Sequence, residues 1–239
     1  MYRVTGTRSQ VDDALELAAP VNRGSLGPAV AGAWAAIESL LTHPDDPREE
    51  ERFGKAVAAD RLASIITCSW PRAELTSLAH HYSGSGSTDP IAAALAVCNT
   101  NIDRSRAIAE ALRDGISLQF VERRNRGSEY AAAARMSGVL ADPRRILMDV
   151  RSALTIALRR LYRSRNIVLH GGSTQGVALE ASLRTAAPLL GAGLDRIVHA
   201  ALSESLKPLD LAERANVSLQ LVGGETGLSV VELLEPVGA

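Results

Sequence analysis

Apolar residues recur every three or four positions along most of the chain, and this spacing predicts α-helices. In the segment 29–41, for example, Val30, Trp34, Ile37 and Leu41 fall on one face of a helix. A helix with such a stripe packs it against the protein core. The sequence therefore predicts an all-α protein whose helices pack through aliphatic stripes.

Proline, glycine and capping residues divide this pattern into separate helices, because proline favours the first turn and glycine the end. The predicted helices span about 12–19, 29–41, 49–70, 71–82, 90–97, 103–115, 128–140, 143–170 and 176–206. Pro71 is expected to break the chain between two helices. Pro188, together with Gly191 and Gly193, is expected to kink or split the last helix.

The predicted organisation is a helical bundle interrupted by an insertion. Residues 83–87 read Ser-Gly-Ser-Gly-Ser, which is typical of a flexible joint. The predicted segments are an N-terminal extension at 1–28, the first bundle helices at 29–82, a helical insertion at 83–127, the remaining bundle at 128–206 and a C-terminal segment at 207–239. The C-terminal segment fits two structures, because 217–222 alternates like a strand whereas 209–221 also fits a helix.

Composition narrows the class of protein. Hydrophobic residues make up 46% of the 239, charged residues 22% and aromatic residues only 3%, so the core is expected to be aliphatic. The net charge of −1 gives no overall attraction to nucleic acid or to a membrane. The two cysteines, Cys68 and Cys98, are too few for a disulfide framework. With no apolar signal or membrane-spanning run, we expect a cytoplasmic protein that does not bind membranes.

The cations are almost all arginine. Of 26 basic residues only Lys55 and Lys207 are lysine, which leaves 24 arginines. Arginine recognises phosphate through a planar, bidentate fork that lysine lacks. A compositional bias toward arginine explains the same count, so the number alone assigns no function.

The longest predicted helix carries an arginine within its apolar stripe. Leu154, Leu158, Leu161 and Val168 recur at core-facing spacings, and Arg165 falls among them. A guanidinium in that position is expected to be partly buried, and a buried charge needs a partner. The sequence therefore predicts an ion pair or a site at Arg165.

A polar stripe lies on a neighbouring face of the same helix. Tyr162, Asn166 and His170 are each four residues apart, so Asn166 and His170 can contact the same ligand. Arg159 and Arg163 flank this stripe.

Glu38 offers a partner for Arg165. It follows Trp34 by one helical turn, at the edge of an apolar stripe, where a carboxylate also requires compensation. We hypothesise that Glu38 pairs with Arg165 or orients a nearby polar group. The alternative is that Glu38 simply reaches solvent.

These residues resemble a known family. The sequence Arg165-Asn166-Ile-Val-Leu-His170 at the end of a long helix resembles the signature of HEPN domains, and the segment 33–41 is similar to the first helix of the Apea-like HEPN branch of prokaryotic defence proteins. The resemblance implies a HEPN-like bundle that forms homodimers with the signature helices facing each other. In many members it implies metal-independent endoribonuclease activity, whereas others are inactive or act as partners in toxin–antitoxin and antiviral defence systems.

The chemistry of the residues agrees with that implication. Cleaving RNA without a metal requires a group that moves protons near neutral pH, and His170 is the natural choice. Arg165 can stabilise charge on the phosphate, and Asn166 can bind the phosphate or hold the ring of His170. Arg159, Arg163 and Tyr162 are candidates for holding flanking RNA phosphates or stacking on a base.

We expect no cofactor and no metal site, because the other histidines lack ligand-spaced partners. The structural alternative is that His170 caps the helix and Arg165 forms a buried ion pair.

Two functions of different kind therefore remain open. The first is a homodimeric HEPN-type endoribonuclease toxin that acts on RNA in prokaryotic defence, with a possible defence-system partner protein. The second is a non-catalytic HEPN-like module that senses or scaffolds a partner protein or a nucleotide. A third interpretation, a HEPN partner of a nucleotidyltransferase, predicts modification of Tyr162 or of a nearby hydroxyl.

Overall fold

The computed structural model describes residues 9–46, 56–84, 88–120, 126–171, 177–223 and 227–235, and these residues are almost entirely helical. Their helices are α1 Gln10–Ala18, α2 Pro20–Arg23, α3 Leu26–Leu41, α4 Ala56–His81, α5 Pro90–Val97, α6 Asn101–Arg113, α7 Arg126–Ala141, α8 Pro143–Gly171, α9 Val177–Glu204 and α10 Pro208–Leu221. The β-structure in the same residues is one isolated bridge, between Tyr82 and Phe120. The predicted all-α class is confirmed. None of the described helices has both the length and the apolar character needed to span a bilayer.

The predicted break at Pro71 is wrong, because α4 runs through it without interruption. A proline inside a helix costs about 3 kcal/mol. Beyond it, Leu75 and Leu78 are almost completely buried and continue the apolar stripe of the helix. Tertiary packing on both sides of Pro71 therefore outweighs the lost backbone hydrogen bond.

Two further predictions concern the C-terminal half. Of the kink or split expected at Pro188, the split is wrong, because α9 is one helix that includes Pro188. The strand-like alternative for 217–222 is also wrong, since α10 extends to Leu221. Leu211, Ala215 and Ser218 are buried at intervals of three or four residues, which is the spacing of a helix rather than a strand.

The chain divides into two compact units. The first comprises residues within Met1–Ile66 and Arg151–Asn216, and the second comprises residues within Thr67–Val150 and Val217–Ala239. The predicted insertion at 83–127 belongs to the second unit, which extends beyond it in both directions.

In the first unit, α1 and α2 pack on α3, and α3 packs on α9. The apolar stripe predicted for α3 is buried, with Val30, Trp34, Ile37 and Leu41 each no more than 1% exposed. Gly32 allows the end of α1 to approach α3, because a Cβ there would lie 2.2 Å from the carbonyl oxygen of Leu17. This core fixes the position of Glu38, which lies on α3 beside the stripe.

Another glycine allows α9 to approach α4 closely. A Cβ on Gly193 would lie 2.3 Å from Cδ1 and 3.2 Å from Cγ of Leu62, a residue that is 1% exposed. We expect Gly193→Ala to lower the free energy of unfolding by about 1–3 kcal/mol through overpacking. Denaturant unfolding measures this effect.

Gly191 provides the matched control, because it lies on the same helix and a Cβ added there would have no neighbouring atom within 4 Å. Gly191→Ala is expected to leave stability unchanged or raise it by up to about 1 kcal/mol, since alanine favours helix more than glycine does. Equal effects of the two substitutions would show that α9 does not approach Leu62 as described.

In the second unit, α5 packs on α6 and α6 on α7. The buried carboxylate of Asp89 caps α5 by accepting from the backbone N–H groups of Ile91 and Ala92. Asp89 also accepts a hydrogen bond from the Tyr82 hydroxyl at 2.6 Å. Burial, together with that hydrogen bond and the negative charge of Asp89, raises the pKa of Tyr82 to about 12.

Candidate functional site

The C-terminal half of α8 lies in the first unit and presents both an inner and an outer face. Leu158 and Leu161 are fully buried, and Ser164 is 7% exposed. Arg165 follows on the same inner side with its side chain 21% exposed. The expectation that this guanidinium is partly buried is confirmed.

Arg165 contacts two polar side chains. Its Nη2 lies 4.0 Å from Oε2 of Glu38 on α3, and its Nη1 donates a hydrogen bond to Oδ1 of Asn166 at 3.0 Å. The hypothesised pairing of Glu38 with Arg165 is thus present, at the outer limit of an ion pair. Because Oδ1 of Asn166 accepts from Arg165, the amide nitrogen of Asn166 remains as a donor.

The position of Glu38 follows from the end of α3. Its backbone oxygen accepts from both the N–H and the hydroxyl of Thr42, at 3.2 and 2.6 Å. These bonds satisfy a carbonyl in the last turn of the helix. The helix α3, whose adjacent apolar stripe is buried, thus places the Glu38 side chain beside α8.

Tyr162 packs against Trp34. The ring centroids are 4.9 Å apart and the ring planes are tilted by 43°, a geometry favourable for aromatic pairs. Trp34 is fully buried, and its Nε1 has no hydrogen-bond partner among the described residues. The contact anchors α8 to α3, and Tyr162, which is half-buried, can only offer its remaining edge to a base.

The two arginines expected to bind RNA phosphates differ in their surroundings. Nη2 of Arg159 lies 2.8 Å from Oδ2 of Asp60 on α4, and both side chains are 34% exposed. Arg163 is exposed, and no hydrogen bond or ion pair joins it to another described side chain. Arg163 is thus free to contact a ligand. Arg159 can bind a phosphate only if it first leaves the carboxylate of Asp60.

His170 lies in the last turn of α8 and is exposed. Within the described residues its ring makes no hydrogen bond, so the capping contact of the structural alternative is not seen there. Seven residues separate it from Arg163, which places both on nearly the same face, whereas Arg165 is about 140° away around an ideal helix. Within one chain, therefore, Arg165 and His170 occupy different faces.

Sequence reasoning missed Asp60 as a partner of Arg159. The residues are 99 positions apart, so no helical spacing connects them. One feature of the sequence could have indicated that Asp60 needs a partner: it lies just before the mostly apolar run 62–68, which is buried throughout. No group of three potential metal-ligating side chains occurs among the described residues.

Comparison with known proteins adds no relative. No protein-family model matches the chain, and no curated protein or solved structure matches it significantly. The HEPN resemblance therefore remains a prediction from Arg165, Asn166, His170 and the segment 33–41.

Proposed function

We propose that this protein is a metal-independent endoribonuclease of HEPN type that acts in prokaryotic defence or in a toxin–antitoxin system. The observation that carries the proposal is the exposed His170 at the end of α8, with the exposed Arg163 on the same face and the Arg165–Asn166 pair within one turn and a half. An imidazole open to solvent can exchange protons with a ligand near neutral pH.

The reaction that suits these groups is attack by a ribose 2′-hydroxyl on the adjacent phosphorus. A bond forms between the 2′-oxygen and phosphorus, and the bond from phosphorus to the 5′-oxygen breaks. One neutral imidazole accepts the 2′-hydroxyl proton, and one imidazolium donates a proton to the leaving 5′-oxygen. The products are a 2′,3′-cyclic phosphate and a 5′-hydroxyl.

One chain supplies only one His170, so the proposal requires a homodimer. Two copies that meet through the outer face of α8 bring two imidazoles to one phosphate, which separates the acid and base roles. Ile156 and Ile167 lie on that face at 48% and 57% exposure, and their burial favours association. Arg165 starts from the inner side of α8, but its guanidinium reaches Asn166, which lies one helical turn before His170. From there it stabilises the charge that develops on the phosphate oxygens.

The supporting residues have distinct roles in this proposal. Glu38 holds the Arg165 guanidinium, and Arg165 in turn orients the Asn166 amide toward the phosphate. Tyr162 anchors α8 through Trp34. Arg163 binds a neighbouring phosphate, and Arg159 does so after leaving Asp60.

The test is incubation of the purified protein with fluorescently labelled single-stranded RNA in EDTA, with binding followed separately by anisotropy. We expect RNA fragments to accumulate in EDTA, because no step uses a metal. Binding of the RNA without any cleavage would contradict the proposed nuclease activity.

The second candidate function is a non-catalytic module that binds a partner protein or a nucleotide. The observation that favours it is that Arg165 is already engaged by Glu38 and Asn166 within one chain. In that case His170 is a surface residue, and its replacement changes neither RNA integrity nor fold. The same EDTA assay separates the two candidates.

A further inference from the structure

The arginines of α8 in the first unit fall into two groups. The segment 151–171 contains five arginines and one histidine but no acidic residue. Three of the arginines have partners within the chain, since Arg151 donates to Asn216 at 3.3 Å, Arg159 pairs with Asp60, and Arg165 contacts Glu38 and Asn166. The other two, Arg160 and Arg163, are exposed and have no hydrogen-bond or ion-pair partner among the described residues.

These two arginines form a line with His170 on the outer face. Arg160, Arg163 and His170 are separated by three and seven residues, so they follow one side of the helix. With a rise of 1.5 Å per residue, Arg160 lies roughly 15 Å along the helix axis from His170. Two guanidinium groups and an imidazole spread over that length match a polyanionic strand better than a single small anion.

Arg160 also borders a groove between α8 and α9. The groove has a volume of about 250 Å³ and is lined by Ala157, Arg160, Ala178, Ala181, Ser182 and Thr185. Arg160 is the charged member of this lining. The other five side chains are small, so the guanidinium has space in front of it.

The hydroxyl groups of the groove can turn toward a ligand. Ser182 donates to the carbonyl of Ala178 at 2.8 Å, and Thr185 donates to that of Ala181 at 3.0 Å. These carbonyls lie inside a helix that already uses them, so redirecting a hydroxyl leaves no carbonyl without a partner. The acidic residue nearby in sequence, Glu180, is paired with Arg184 at 2.6 Å, which reduces its repulsion of an anion.

We propose that the groove at Arg160 is a phosphodiester subsite that holds the RNA strand away from the cleaved bond. Arg160 and the Ser182 and Thr185 hydroxyls bind one phosphate, and Arg163 binds a phosphate between this subsite and His170. The proposal rests on the proposed function and adds the path of its substrate. It makes the enzyme sensitive to strand length, because a dinucleotide at His170 does not reach Arg160.

The test measures the affinity of a labelled single-stranded RNA in EDTA, in a His170→Ala background that prevents cleavage. Arg160→Ala is expected to weaken binding about tenfold, as for loss of one charge-assisted hydrogen bond. It should also reduce the slope of log affinity against log salt by about 0.7, since one phosphate contact in a single strand is lost. Ala181→Leu, which fills the groove at an exposed position, should weaken binding without changing the protein's charge.

Arg151→Gln is the matched control, because it removes an arginine of the same helix that contacts Asn216 and lies about 180° around an ideal helix from Arg160. Its affinity is expected to stay within twofold of the background. Unchanged affinity and salt slope for Arg160→Ala would overturn the subsite, as would an equal loss with Arg151→Gln.

Cleavage assays in the His170 parent separate this proposal from the nuclease itself. Arg160→Ala should raise KM for a long RNA while leaving dinucleotide cleavage unchanged. If Arg160→Ala cleaves the long RNA with the same KM as the parent, the subsite is contradicted but the nuclease is not. If RNA binds through Arg160 but the parent does not cleave it, the nuclease is contradicted but the subsite is not. If RNA does not bind at all, both proposals are contradicted.

Discussion

His170→Ala is expected to reduce the rate of RNA cleavage about 10²–10⁴-fold, which is the usual contribution of a positioned general acid or base. The side chain is exposed and makes no hydrogen bond to another described residue, so its removal should not change the free energy of unfolding. Both quantities are measurable on one preparation, by RNA digestion in EDTA and by denaturant unfolding.

His199→Ala provides the control for this substitution. His199 is also a histidine on a helix of the first unit, and its ring lies 3.4 Å from the hydroxyl of Ser203. The variant is expected to keep the parental cleavage rate. Equal loss of activity in the two variants, or full activity in His170→Ala, would show that His170 takes no part in the reaction.

If the proposed reaction is right, Arg165→Gln is expected to lower the cleavage rate about 10²–10³-fold, because in that reaction Arg165 donates to charge that develops in the transition state. The effect should fall on kcat more than on KM, since the contact strengthens as the reaction proceeds. Arg165→Lys should recover only part of the rate, because lysine retains the charge without the guanidinium fork that contacts both Glu38 and Asn166.

The stability of the same variants tests the structural alternative. The Arg165–Glu38 pair is separated by 4.0 Å and is partly exposed, so a Glu38→Gln/Arg165→Gln double-mutant cycle should give a coupling of about 0.2–1 kcal/mol in unfolding. Arg151→Gln, on the same helix but contacting Asn216, is the control and should leave cleavage unchanged. A large loss of stability with no loss of cleavage would make Arg165 a structural residue only.

The sequence predicted most of what depends on one helix at a time. The stripe of α3 and the inner face of α8 follow from spacing alone, and so does the partly buried Arg165. The Glu38–Arg165 contact could be proposed because both charges interrupt apolar stripes, so each required a partner.

Features that depend on packing between helices were not predictable in this way. The continuity of α4 through Pro71 reflects burial contributed by the rest of the protein, which local propensity does not include. The Asp60–Arg159 pair joins helices that are distant in sequence. Because Asp60 already engages Arg159, this arginine is not free to bind RNA phosphate as its position on the helix had suggested. The sequence also could not show that Arg160 is free to bind a ligand. That depends on which arginines of α8 form ion pairs or hydrogen bonds with other helices.

The most direct measurement is the chemical nature of the ends that the protein leaves on RNA in EDTA. Proton transfer by His170 from a 2′-hydroxyl predicts a 2′,3′-cyclic phosphate on one fragment and a 5′-hydroxyl on the other, with a 2′-deoxy strand of the same sequence left intact. Fragments that carry a 5′-phosphate and a 3′-hydroxyl, or a deoxy strand cut at the same rate, would contradict the proposed reaction.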